Sequence, residues 1–288
     1  MVTDRLQRSC PELQIDTRII KTDGDTLTTP IVDVQAGRKG LFTSEIERAL
    51  VAREIDLAVH SAKDLPSKLT NETEIVAVLR RAAIDDVLVS RKPGDLNSLP
   101  KNGTVATGSV RRKHQLLWQR PDLKIVDLRG NVPTRLQKLA NEKWDAIILA
   151  RAGLERLGFD LTSKAISFKG GDFFAEFLPS EVFLPAGGQG VIAIQARSGE
   201  NDSKVLAEKI DDFETKLCLR AEREFLRLLN ADCNQPVGVL ATIDRTTMEI
   251  RAQLFEPGVA VPRSAFAHGA AEEPEKLAAD IFRKIHAE

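Results

Sequence analysis

Tyrosine is absent from the 288 residues, and the chain holds only two tryptophans, two methionines, three cysteines and four histidines. Charge of one sign is missing too: 41 lysines and arginines face 42 aspartates and glutamates, a formal net charge of -1. A chain so balanced has no broad field with which to hold nucleic acid or a membrane surface. The basic run Arg111-Arg112-Lys113 lacks the interleaved aromatics of a nucleic-acid platform. No apolar run reaches the length of a membrane span, and no signal-peptide pattern opens the sequence. Cys10, Cys218 and Cys233 are odd in number, far apart and without metal-ligand spacing, and the histidines are scattered, so no metal site is expected. These absences leave a soluble, reduced, cytoplasmic protein that binds neither nucleic acid nor membrane.

What is present is enough apolar material, 42% of residues, for more than one core, so two or three domains are expected. Short apolar runs at 15–20, 55–59, 75–79, 104–107, 124–128 and 146–149 read as strands. Helical patterns cover 43–53, 109–119, 132–141 and 151–157. This strand-helix alternation predicts an α/β fold with mostly parallel sheets. A further apolar run at 191–196 precedes a strongly helical segment at 213–229, strand-like stretches at 237–243 and 248–255, and a last helix at 273–285.

Three features carry chemistry. His60-Ser61-Ala62-Lys63-Asp64-Leu65-Pro66 ends an apolar run with a cation and a carboxylate side by side, then breaks at proline. The carboxyl edge of an α/β sheet is where ligands bind, and if the strand continues Lys63 and Asp64 face opposite ways. Thr107-Gly108-Ser109-Val110-Arg111-Arg112, Leu128-Arg129-Gly130-Asn131-Val132-Pro133-Thr134-Arg135 and the turn holding Arg151 and Arg156 each follow a strand and open a helix. Small residues at a helix start leave N–H groups free for an anion, and arginines add bidentate donors for carboxylate or phosphate. Three such turns along one sheet edge predict a cleft for a polyanion of either kind. Finally, Cys233 lies in a polar turn, Asp232 to Gly238, where a thiol can be a nucleophile or an attachment point.

Together with Leu184-Pro185-Ala186-Gly187-Gly188-Gln189-Gly190, these runs resemble the porphobilinogen deaminase (hydroxymethylbilane synthase) family in order and spacing over almost the whole chain. The resemblance implies two periplasmic-binding-protein-like (type II) domains, residues 1–82 with 191–208 and residues 86–186, plus a smaller C-terminal α/β domain at 213–288. It implies a transferase of porphyrin (haem, tetrapyrrole) biosynthesis, a monomer. Four porphobilinogen molecules are joined head to tail, with loss of ammonia, on a dipyrromethane cofactor held by Cys233. Asp64 matches the catalytic aspartate. Lys39, Ser61, Lys63, Thr107, Ser109, Arg111, Arg112, Arg129, Arg135 and Arg156 match cofactor- and substrate-binding positions, with the backbone near Gly37, and Gly187 to Gly190 match the crossing back into the first domain.

The sequence departs from the family in places. The family's opening strand, with its Thr-Arg-x-Ser-x-Leu-Ala motif, has no counterpart, so the first domain is expected to miss its N-terminal strand. Gln35 replaces a lysine, Ala231-Asp232 replaces the glycines before the cysteine, and the 158–185 segment is longer. The competing reading is an inactive two-lobed anion-binding homologue.

Overall fold

The computed structural model describes residues 1–20, 43–199, 201–231 and 235–287. Gln35, Gly37, Lys39, Asp232 and Cys233 lie outside the described residues. The chain opens with α1 (Val2–Ser9), α2 (Ser44–Val51), β1 (Ala58–Ser61) and β2 (Thr73–Val78). There follow β3 (Asp86–Ser90), β4 (Thr104–Ala106), α3 (Val110–Gln119), β5 (Lys124–Val126), α4 (Val132–Asn141), β6 (Ala146–Ala150) and α5 (Arg151–Arg156). Next come β7 (Ala165–Phe168), β8 (Gly171–Leu178), β9 (Ile192–Arg197), α6 (Asn201–Glu208) and α7 (Phe213–Leu228). The last elements are β10 (Val237–Asp244), β11 (Thr247–Leu254), β12 (Arg263–Ala270) and α8 (Pro274–His286).

The described strands form three sheets, ordered β1-β9-β2, β5-β4-β6-β3-β8-β7 and β10-β11-β12. The chain crosses from the first sheet to the second between β2 and β3 and returns between β8 and β9, so two crossovers join these sheets. In the second sheet the two-residue period decides which core each side chain enters. Val87, Val89, Ile147 and Leu149 pack with Leu136 and Leu139 of α4, whereas Leu88, Ala146 and Ile148 pack with Leu116 of α3. Strands buried on both faces need continuous apolar runs, and these have them. Side-chain caps start the helices at this sheet edge: Ser109 accepts from the Arg112 N–H, and Asn131 from the Thr134 N–H.

The sheets correct the expected strand directions. Among the described ladders only β4–β5 and β4–β6 are parallel; the first and third sheets are antiparallel throughout. In the first sheet the cause is the return crossing, which inserts β9 between β1 and β2 running against both. Residues 15–20 are not a strand. Alternation of apolar residues is not enough where no ladder is present: Ile15 packs against the first core but Ile19 is exposed. β3, β7, β8 and β12 escaped the sequence reading; β8 and β12 carry mixed rather than clean alternation. Among the described residues no helix is long and apolar enough to cross a membrane.

One ion pair joins all three sheets. Glu222 on α7 is fully buried, and its carboxylate accepts from Arg81 at 2.6 and 3.1 Å, from the Gly188 N–H at 2.7 Å and from the Ala241 N–H at 2.8 Å. Arg81 belongs to the outgoing crossing, Gly188 to the return crossing and Ala241 to β10. Arg81 also donates from Nε to the Gln189 carbonyl at 2.9 Å. Removing one member of such a pair leaves a buried charge uncompensated. Arg81→Met should therefore lower the free energy of urea unfolding by about 3–5 kcal/mol; a change within 1 kcal/mol would contradict that weight.

Candidate active site

The Ser-x-Lys-Asp segment sits where β1 ends. The strand stops at Ser61, and residues 62–64 form a single 3-10 turn, so Lys63 and Asp64 do not alternate across a continuing strand. The turn instead leaves Asp64 exposed and Lys63 partly buried. Ser61, partly buried, caps the turn without a side-chain hydrogen bond. Gly188 of the return crossing packs against the turn with φ +76°, and a Cβ there would lie 2.9 Å from the Ala62 carbonyl carbon and 3.0 Å from the Lys63 nitrogen. Only glycine tolerates both that conformation and that approach. His60, just before the turn, is buried with Nε2 unpartnered among the described residues, and burial pushes its pKa down.

Arg111 and Arg112 reach this site from the first turn of α3, and both are committed to an anion of the protein itself. Asp86 at the start of β3 is buried and pairs with Arg112 Nη2 at 2.7 Å and Arg111 Nη1 at 2.9 Å. Gln189 Nε2 donates to the same carboxylate at 2.9 Å and to the Ile84 carbonyl at 2.6 Å. Burial alone would raise the Asp86 pKa; the two guanidinium groups outweigh it and hold the carboxyl well below its ordinary range. Further donors tie the arginines to backbone: Arg112 Nη1 to the Ile148 carbonyl at 3.0 Å, Arg111 Nη1 to that of Leu184 at 2.8 Å. Arg111 Nε, Arg112 Nε and Gln189 Oε1 have no hydrogen-bond partner among the described residues.

The other candidates divide in two. Lys63 forms no hydrogen bond or ion pair among the described residues; burial pushes its pKa down to about 8, with Asp64 and Asp86 opposing and Arg112 and Arg135 adding to the shift. Arg135 is lowered to about 10, first by burial and then by Arg112, against Asp64 and Asp127. These mutual fields place Lys63, Asp64, Asp86, Arg111, Arg112 and Arg135 in one electrostatic cluster. Arg129 lies at its margin, ion-paired to Asp127 at 2.8 Å. Arg156 is exposed and donates to the Gly190 carbonyl at 2.7 Å. Arg151 is taken up by Asp85 and Glu155 and stacks over Phe177. Thr107 and Ser109 work locally, as acceptors for the Ser109 and Arg112 N–H groups. Both hydroxyls still have a proton to donate.

The sequence reading gave no role to Asp86, Arg81 or Glu222, and named Gln189 only as part of the return-crossing run. Nothing local in Asp85-Asp86 marks the second aspartate as buried. The cluster carries four cations against two carboxylates, leaves several donors unpaired, and so fits a polyanionic ligand.

Comparisons with known proteins point to one family. The family profile "Porphobilinogen deaminase, dipyromethane cofactor binding domain" matches residues 1–205, and "Porphobilinogen deaminase, C-terminal domain" matches residues 216–287. The porphobilinogen deaminase of Pelotomaculum thermopropionicum is 42% identical over 89% of this chain and 78% of that protein. That of Nitrobacter winogradskyi is 41% identical over 99% of this chain and 87% of that protein. Among solved structures, the VFT2 domain of Bordetella pertussis BvgS aligns over 73% of this chain and 75% of that one at 18% identity, with a TM-score of 0.41.

The Lys63 charge is present below about pH 8 and lost above it. Affinity for a small dicarboxylate should therefore fall as pH rises through about 8, and Lys63→Met should abolish that step. Calorimetric titration across this window checks it; an affinity flat through the window in the unmodified protein would refute the assignment.

Proposed function

The chain belongs to the porphobilinogen deaminase family, and we propose that the Lys63-Asp64 turn and the facing arginines carry that family's reaction here. It is a transferase that makes hydroxymethylbilane from four porphobilinogen molecules, releasing ammonia at each addition, in tetrapyrrole biosynthesis. The observation that supports the residue assignment is an exposed carboxyl on a turn, within whose field lie Lys63 and Arg135, with Arg112 next to both cations.

Each porphobilinogen brings an acetate and a propionate, so both substrate and growing product are polyanions. Lys63 and Arg135, which lack ion-pair partners among the described residues, are assigned to those carboxylates, as are the free Nε groups of Arg111 and Arg112. Arg129 and Arg156 are assigned to the rim; Lys39, outside the described residues, is assigned a ligand carboxylate. Thr107, Ser109 and Ser61 are assigned hydroxyl contacts. Ammonia loss from the aminomethyl group leaves a cationic methylene-pyrrole. The Asp64 carboxylate opposes that charge from beside the pyrrole N–H and takes part in the later proton loss from ring carbon. The dipyrromethane cofactor, when bound, supplies the pyrrole carbon that starts the chain, and Cys233 is assigned its attachment through a thioether. The unpaired donors beside Asp86 suit its carboxylates.

The domain division at 1–82 with 191–208, 86–186 and 213–288 is supported by three sheets with separate cores. We read the enzyme as a cytoplasmic monomer, from its balanced charge and its small-molecule chemistry. A purely anion-binding homologue would leave Asp64 without a task.

Mass spectrometry of the intact protein should show one dipyrromethane beyond the sequence mass, lost in Cys233→Ala. An unmodified mass with no porphobilinogen consumption would sink the assignment. Asp64→Asn should keep the fold and the cofactor but lower turnover by about 10²–10⁴-fold; unchanged kcat would remove Asp64 from the chemistry.

A further inference from the structure

The turn that presents Asp64 has little to hold it from within. Its own backbone supplies one bond, Leu65 N–H to the Ala62 carbonyl at 3.3 Å, and Ala62 N–H reaches the Val191 carbonyl at 3.0 Å. Pro66 has no N–H to give. Rigidity has to come from elsewhere, and α7 supplies it. Leu65 is buried in a cluster with Leu219 of α7. One helical turn on, Arg223 donates from Nη2 to the Pro66 carbonyl at 2.9 Å and the Ser67 carbonyl at 3.3 Å. Its neighbour Glu222 grips the N–H of Gly188, the residue packed against Ala62 and Lys63. Leu217, Cys218, Ala221 and Phe225 anchor the opposite face of the same helix in the third core.

Arg223 is an expensive way to satisfy two carbonyls. It is partly buried, burial lowers its pKa to about 10, only Glu47 opposes, and it forms no ion pair among the described residues. A guanidinium held so, with no carboxylate in ion-pair range among the described residues, commits its Nη2 to the two backbone oxygens of the turn.

We propose that Arg223 is a positioning residue for Asp64: its bonds to Pro66 and Ser67 fix the turn's height over the cleft, so that α7, a helix of the third core, sets the geometry of each condensation. The proposal rests on the catalytic reading of Asp64 given above. Displacement of a reacting group by about 1 Å can cost about 10²-fold in rate, so loss of Arg223 should act on kcat more than on KM.

A double-mutant cycle tests it, with kcat taken per dipyrromethane-loaded molecule so that folding and cofactor losses are divided out. Arg223→Gln should lower kcat by at least about tenfold with KM changed less than about twofold, and should have no further effect in Asp64→Asn. Arg223→Lys, which keeps one charged donor, should recover much of the loss; it also closes the cycle if the glutamine variant does not fold. An unchanged kcat in Arg223→Gln, or the same fold loss with and without Asp64, would overturn the proposal. Full activity of Asp64→Asn alone would overturn the catalytic reading and this proposal with it, and is read from the single variant before the cycle is closed.

Discussion

The buried carboxylate of Asp86 is the constraint around which the charged cluster is built. It lies where the two crossings meet, accepting from Gln189 of the return crossing, which also holds the Ile84 carbonyl of the outgoing one. It fixes Arg111 and Arg112 at the start of α3. Two guanidinium groups buried without a counter-charge would repel each other and lower their own pKa values, as burial already does for Arg111. One internal anion lets both stay charged and aimed while leaving their Nε groups unpaired. Removing it would free two buried cations at once, which makes it the most consequential single charge in the cleft.

From Asp86 outward the polar groups form two grades. The inner arginines are locked by an ion pair and backbone carbonyls, so they can keep one geometry from the first addition to the last. Lys63 and Arg135 have no ion-pair partner among the described residues, and burial lowers the pKa of both. Arg129 is different: its bond to Asp127 is exposed and exchangeable, so a ligand carboxylate can replace Asp127 at little cost. On the proposed reaction, a product that gains two carboxylates per step would meet both the fixed donors and the exchangeable one.

Much of this was legible in the residues. The Ser-x-Lys-Asp-x-Pro run, the arginine-bearing helix starts and the Gly-Gly-Gln-Gly crossing stand out as local patterns, and the apolar runs of β4 and β6 specify buried strands; which arginines are held by Asp86 and which by Asp85 depends on distant partners. Tertiary pairing was not legible. β9 lies antiparallel between β1 and β2 because of a crossover more than a hundred residues long, and residues 15–20 lack a ladder that no local pattern could reveal. Lys63 and Asp64 part company through a 3-10 turn, not through strand alternation. Asp86 and Glu222 look like ordinary acidic residues until their partners, up to 141 positions away, arrive.

On the catalytic role proposed for Asp64, its placement answers two demands that conflict. A group that meets every incoming pyrrole must be reached from solvent, which argues for an exposed turn; a group that opposes a transient cation must not wander, which argues for burial. The fold meets both by separating the side chain from its support. Asp64 itself is exposed, while Ala62 and Leu65 on either side are buried and the crossing glycine closes against the backbone between them. The support is thus distributed over the first core, the return crossing and α7, and each contributes a contact to backbone or to a flanking apolar residue rather than to the carboxyl. Because none of those contacts touches Asp64, the carboxyl keeps its full hydrogen-bonding capacity for the substrate.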